Sequence, residues 1–329
     1  MKIENPHDKF FKKTFGNVDV AKDFLKNYLP PSIMGIIDID TLEAQKDSHI
    51  DKELQESFSD LLFKATINNR EGYLYLLFEH KSYPSRDIVL QLLKYMVNIW
   101  DVKYKEIGRI PVVIPLVIYH GKRSWNISRN LSDMILSYDG LPQDVKALIP
   151  NYKYLLYDLS DFTDEEIKGE VINRIAIKIT RDIQRKGIGA ILEIALEAAA
   201  LMQQFEDKDT GLEYFETLIR YIFSARSDLT RKRYDEFIEK VETTYPEGSE
   251  MVMTLAQLFR EEGKKEGLLK GIEQGIEQGI EKGLEAGAKQ SKLEIARNAI
   301  REGMDIDLIA KLTGLPQKEI EIIAKEMGN

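Results

Sequence analysis

Hydrophobic and polar positions change their period several times along the chain, and each change marks an element. Between Phe58 and Ser82 the period is two. Phe58–Ile67 and Tyr73–Ser82 read as strands, and Asn68–Gly72 reads as the turn between them, because Asn and Gly accept the positive φ of a short hairpin loop. Ile37–Lys46 alternates in the same way, so three strands follow one another. Ile110–Tyr119 is almost continuously apolar, as in a strand covered on both faces, although Pro111 and Pro115 restrict pairing around them. It follows a helix, which makes a crossover and predicts parallel pairing with the hairpin. Tyr152–Leu159 is the last predicted strand.

Elsewhere the period is helical. Asn5-Pro6 resembles a cap followed by proline at the first helical position, and that helix reaches Phe15. Gly16-Asn17 ends it, and a second helix covers about Val18–Tyr28 before Pro30-Pro31. After Pro84 a helix runs from about Asp87 to Ile107. There Gln91, Lys94 and Tyr95 can share one face while Leu90, Leu93, Val97 and Trp100 pack elsewhere. From Asp164 to Thr244 the pattern is helical and Ala-rich around Ile191–Met202. The elements predict an α/β fold, a mixed central sheet flanked by helices, with an all-helical C-terminal extension. Its expected divisions are a core over 1–163, a helical region over 164–245, a glycine-repeat segment over 246–290 and a small helical end over 291–329.

The glycine repeat has a period of four: Gly263, Gly267, Gly271, Gly275, Gly279, Gly283 and Gly287. Glycine costs a helix about 1 kcal/mol against alanine, so the segment is either a low-complexity spacer or a helix that uses the missing side chains for close approach to a partner. In the second case the apolar stripe Leu268, Ile272, Ile276, Ile280 and Leu284 drifts around the helix and calls for right-handed wrapping. A homo-oligomer built through the C-terminal helices is the expectation. Two or three short helices follow, over Ser291–Glu302, Asp305–Leu312 and Gln317–Met327, and Gly314 stands in the turn before the last, as in helix-turn-helix units. Glu319, Glu321 and Glu326 on that last helix favour protein contact over reading the major groove of DNA.

Charge enters at the hairpin. Tyr73, Tyr75, Leu77, Glu79 and Lys81 share one strand face, and Asp60, Leu62 and Lys64 share a face of the other strand. If opposed residues have numbers summing to about 140, Asp60 falls opposite the Glu79–Lys81 step. Two carboxylates this close repel unless something positive lies between them. Lys81 can serve, giving a structural ion cluster; alternatively the acids hold a hard divalent cation such as Mg²⁺, with Lys81 orienting a water or offsetting charge on phosphate. The second arrangement suits phosphodiester hydrolysis.

The words around these residues resemble one family. His7-Asp8-Lys9-Phe10-Phe11-Lys12, Ser59-Asp60-Leu61-Leu62-Phe63, Phe78-Glu79-His80-Lys81-Ser82 with Pro84, Gln91-Leu92-Leu93-Lys94-Tyr95-Met96 and Tyr119-His120-Gly121 are similar, in order and spacing, to the Rpn-type recombination-promoting nucleases of the PD-(D/E)XK superfamily. The resemblance covers roughly residues 5 to 260. It implies a Mg²⁺-dependent DNA endonuclease, Mn²⁺ substituting, that leaves 5′-phosphate and 3′-hydroxyl ends. Asp60, Glu79, Lys81 and Gln91 are the implied catalytic residues, and Asp60, Glu79 and the backbone carbonyl of His80 the implied metal ligands. Asp8, Lys94, Tyr95 and His120 are accessory candidates. Asp8 also suits the positive end of its helix, and His120 reads as structural or substrate-facing rather than as a base. A non-catalytic DNA-binding or assembly protein that keeps this fold is the alternative, and a transposase in the full sense a third.

Composition trims the rest. With no cysteine and four histidines, disulfides and cysteine–zinc sites are excluded and a histidine-rich metal site is not expected. No apolar run is long enough to span a bilayer, the first residues lack a secretion signal and no GxxxxGK[ST] motif is present, so a cytoplasmic protein without a nucleotide cofactor is expected. The net charge of −9 weighs against avid DNA binding. Two basic patches could offset it, Lys178/Arg181/Arg185/Lys186 and Arg226/Arg231/Lys232/Arg233, but both read more readily as solvated helix faces.

Overall fold

A computed structural model of the chain describes residues 5–45, 59–79 and 86–328. Five strands form one sheet in sequential order: β1 (Ile37–Gln45), β2 (Ser59–Ile67), β3 (Arg70–Glu79), β4 (Val112–Tyr119) and β5 (Leu155–Asp158). The first three are antiparallel and the last three parallel, so the sheet is mixed. β5 joins β4 only from Leu116 onward, which leaves Pro115 where β4 has a neighbour on one side alone.

The hairpin turn is tighter than predicted. Asn68 and Asn69 both take positive φ, 50° and 59°, and close a two-residue loop of the primed type. Arg70 and Glu71 therefore belong to β3, and Gly72 pairs with Ala65 inside the ladder. Opposed residues sum to 137 instead of about 140, and Asp60 faces Leu77, not the Glu79–Lys81 step.

Helices α1 (Pro6–Phe15) and α2 (Val18–Tyr28) have the predicted bounds, and Asn17, read from sequence only as part of the break, caps α2: its side chain accepts from Asp19 N and Val20 N. Asn5, by contrast, caps nothing with its side chain and takes a left-handed conformation. A single turn, α3 (Pro31–Met34), leads into β1, and α4 (Ile88–Ile107) crosses from β3 to β4. After the short α5 (Gln143–Lys146) and β5 come α6 (Val171–Asp182), α7 (Ile188–Met202), α8 (Lys208–Ala225) and α9 (Arg231–Thr244).

Strand alternation divides the core in two. Leu62, Tyr73, Tyr75 and Val117 pack with Ile88, Val89, Leu92, Tyr95 and Ile99 of α4. Phe63, Leu74, Leu76, Leu116 and Ile118 pack on the other face with α1, α2 and helices α6 to α9. The helical region is thus the second layer over the sheet. α4 corrects one expectation: Leu90 and Val97 are exposed, because the buried stripe is Ile88/Val89/Leu92/Tyr95/Met96/Ile99.

The chain divides into two compact units, Met1–Phe259 and Arg260–Asn329. The glycine repeat is helical rather than a spacer: α10 runs unbroken from Pro246 to Arg301, so the helix predicted at Ser291–Glu302 is its end and not a separate element. In the second unit Ala296, Ala299, Ile309, Leu315, Ile320 and Ile323 form a small core between the end of α10, α11 (Ile306–Thr313) and α12 (Gln317–Glu326). Gly314, at φ 68°, ends α11 in the left-handed conformation.

Candidate active site

The candidate residues Asp60 and Glu79 lie on β2 and β3, toward the C-terminal end of β3. Since Asp60 pairs with Leu77, Glu79 stands two positions along β3 from Asp60's partner. Such diagonal positions in an antiparallel pair are about 7–8 Å apart. Both have the parity of Leu62, Tyr73 and Tyr75, the side of the sheet that α4 covers. The register correction therefore changes which residues are opposed while leaving Asp60 and Glu79 on positions of one parity. His80 and Lys81 lie outside the described residues.

α4 brings Gln91 to this end. β3 and β4 are parallel, so the helix between them runs back along β3. Two contacts fix its placement: Trp100 Nε1 donates to the Pro111 carbonyl at 3.0 Å near the start of β4, and the Tyr95 ring lies 4.8 Å from that of Tyr75. Gln91 is one turn before Tyr95, about 6 Å along the helix axis, which corresponds to about two strand residues beyond Tyr75 and places it toward Glu79. Its Nε2 is buried and has no hydrogen-bond partner among the described residues. Orphan buried donors are uncommon and costly. Lys94 does not join it: Lys94 is exposed, whereas Tyr95 is buried at 1%.

Asp8 and His120 belong to the other side. His120 follows Tyr119, the register partner of Glu79, and is buried. Its Nδ1 donates to the Thr180 carbonyl at 3.1 Å, the only direction a carbonyl permits. The His7 ring is 5.1 Å from that of His120, and Asp8 is half-buried in the first turn of α1 beside it. His7 Nδ1 shares a hydrogen bond of 2.8 Å with the Tyr221 hydroxyl. Burial pushes the Tyr221 phenol well above its ordinary value, so it keeps its proton. Neither His7 nor Tyr221 stood out in the sequence; a histidine before the acidic residue of the first motif was the available signal for one, and nothing local marked the other. Among the described residues no three acidic or histidine side chains form a cluster, whereas a Mg²⁺ site needs only one or two carboxylates.

The basic patches are only partly solvated: Lys186, Arg231, Lys232 and Arg233 are exposed as expected, while Arg181, Arg185 and Arg226 are tied to partners in the fold. Arg181 is buried and divides its guanidinium among Asp182 (2.8 Å), Asp164 (2.6 Å) and the Phe162 carbonyl (2.9 Å). Its hydrogen bond holds the Asp164 carboxyl below the usual carboxylate range. Arg185 bonds the Ser160 carbonyl, and Arg226 binds Asp228 and the Ile183 and Lys186 carbonyls. The pairs Arg231–Asp235 and Lys232–Glu236, at 3.9 and 3.7 Å, are exposed helix pairs as expected.

Residues 5–212 match the family described as "Putative transposase, YhgA-like", and residues 289–325 match the C-terminal HTH domain of the Rpn/YhgA-like nuclease family. Recombination-promoting nuclease RpnA of Escherichia coli (strain K12) is 28% identical over 96% of this chain and 96% of its own. Inactive recombination-promoting nuclease-like protein RpnE of the same strain is 30% identical, covering 79% of this chain and 83% of its own. Recombination-promoting nuclease RpnD of Escherichia coli O157:H7 is 25% identical over 77% and 93%. No solved structure matches. With a family match over more than half its length and the family's HTH domain at its end, this chain belongs to the Rpn/YhgA-like nucleases.

Proposed function

We propose that the chain is a Mg²⁺-dependent DNA endonuclease acting in recombination, with Asp60 and Glu79 as the acids of its site. The observation that carries this reading is the hairpin register, which sets the two acids on diagonal positions of equal parity at the strand end that Gln91 of α4 approaches. The donor set is hard and anionic, which fits Mg²⁺ or Mn²⁺. Asp60, Glu79 and the His80 carbonyl would hold the cation, which when bound lowers the pKa of a water and offsets phosphate charge. Lys81 orients the attacking water or stabilises the charge that develops on phosphate. Gln91 donates its buried Nε2–H, which has no partner among the described residues, to an oxygen of the water or of a phosphate. Plasmid cleavage with Mg²⁺ or Mn²⁺ tests the assignment: Asp60→Ala should lose at least about a hundredfold in rate, and equal activity in both proteins removes it.

A second reading, a DNA-binding or assembly protein without catalysis, is favoured by one observation, the 30% identity to a relative named inactive. Calorimetric titration separates the two, since a chain that binds no Mn²⁺ at millimolar concentration is not the enzyme. In either case the exposed stripe Leu268, Ile272, Ile276, Ile280 and Leu284 of α10 is read as an assembly surface. Sedimentation of the full chain against Ile276→Glu/Ile280→Glu tests that reading, and identical masses would refute it.

A further inference from the structure

A polar knot joins four elements behind the sheet end that carries the candidate acids. The first turn of α1 contributes His7, the residue after β4 is His120, α6 offers the Thr180 carbonyl, and α8 contributes Tyr221. The Tyr221 hydroxyl and His7 Nδ1 are 2.8 Å apart, the two imidazoles 5.1 Å, and His120 Nδ1 reaches Thr180 O at 3.1 Å. Tyr221 also lies flat on Phe10, with ring centroids 4.2 Å apart and 8° between planes. It is 2% exposed, and His120 is 1% exposed.

Phenylalanine at 221 would fill this space and stack equally well. The hydroxyl adds direction, because this partly buried hydrogen bond between two rings fixes their relative orientation where stacking alone lets them slide. What is oriented matters: His120 immediately follows Tyr119, and Tyr119 is the strand partner of Glu79. The knot thus clamps the end of β4 from one face, while α4 with Gln91 covers the other.

We infer that Tyr221 and His7 are positioning residues of the nuclease site: through them the helical region holds α1 and the end of β4, and with it the Glu79 end of β3, in the arrangement that cleavage requires. This rests on the endonuclease reading above. It makes α8, which carries none of the family's motif residues, part of the site's scaffold rather than a cover for the core.

The test uses full-length protein with two readouts, plasmid cleavage and Mn²⁺ titration calorimetry. Tyr221→Phe should lower kcat about tenfold, as small misplacements at a site do, leave the KM for DNA unchanged, weaken Mn²⁺ binding and keep the thermal midpoint within a few degrees. His7→Ala should fall at least as far, and His7→Asn, whose amide can replace Nδ1, should recover part of the loss. Tyr221→Phe added to His7→Ala should cost nothing more, since one hydrogen bond is lost once. Phe10→Leu removes the stacking partner and should lower the thermal midpoint while kcat stays within about twofold. Wild-type kcat and Mn²⁺ affinity in Tyr221→Phe would overturn the inference alone. So would a kcat loss in Phe10→Leu as large as that in Tyr221→Phe, which would mark the junction as packing only. A wild-type chain that neither cleaves DNA nor binds Mn²⁺ would remove the site and this inference together.

Discussion

Glycines in the sheet unit and glycines in the repeat of α10 serve opposite ends. A methyl added at Gly72 would come within 2.7 Å of Ile67 Cδ1, and one at Gly248 within 2.7 Å of the Tyr245 ring. There the missing side chain is filled by a neighbour. At Gly271, Gly275, Gly279, Gly283 and Gly287 an added methyl would meet nothing within 4 Å. The same division runs through the apolar residues of α10: Val252, Leu255 and Ala256 are buried in the first unit's core, whereas Ile272, Ile276 and Ile280 are more than half exposed. Helical structure in the first case follows from burial. In the repeat it stands against roughly 1 kcal/mol per glycine, and among the described residues no neighbour fills the space beside Gly271 to Gly287; the proposed assembly surface would supply one.

Substitutions probe the contrast from both sides, and both tryptophans, Trp100 and Trp125, lie in the first unit, so their fluorescence reports its unfolding alone. The largest effect is expected for Arg181→Ala. It removes the bidentate partner of the buried Asp182 carboxylate, leaving it the half-exposed Lys186 at 2.8 Å, and should cost up to about 3–5 kcal/mol in urea unfolding, whereas Lys282→Ala on the exposed repeat should change nothing measurable. Leu74→Ala, at a fully buried sheet position, should cost about 2–5 kcal/mol, and Ile276→Ala should leave the tryptophan transition where it is. Gly275→Ala with Gly279→Ala should raise helix content by circular dichroism and stabilise α10 by about 1 kcal/mol each. If assembly uses the glycine gaps, the same pair should weaken it, which sedimentation would register.

The smallest effect is acid-dependent. Arg181 lowers the folded pKa of Asp164, so the folded chain binds fewer protons there than the unfolded chain. The stabilisation is present at neutral pH and fades as pH falls below about 4. Asp164→Asn should therefore lie slightly below wild type in urea midpoint at pH 7 and coincide with it near pH 3; a gap that persists in acid would place the effect elsewhere.

Most of the architecture was legible without coordinates. The strands of period two, the continuous apolar β4, the proline at the start of α1, the Gly16-Asn17 break after it and the crossover that makes β3 and β4 parallel all follow from local rules. The candidate site was legible in its motif words and less so in its geometry. Two consecutive asparagines could close a turn of two residues or sit in one of five, and that choice moved the partner of Asp60 from the Glu79–Lys81 step to Leu77. Lys94 could not be separated from Gln91 by spacing alone, since which stripe of α4 turns inward depends on the sheet beneath it.

Residue order alone was enough for the strands, the first helices, the family and the α/β class, because periodicity and motif spacing act over a few residues; it did not show that the glycine repeat and the helix after it form one element. The pairing register, the fate of Arg181 and Arg226 and the meeting of His7 with Tyr221, 214 positions away, needed the folded chain. Those depend on which surfaces come together, and a charge or a phenol takes its role from what burial leaves within about 3 Å of it.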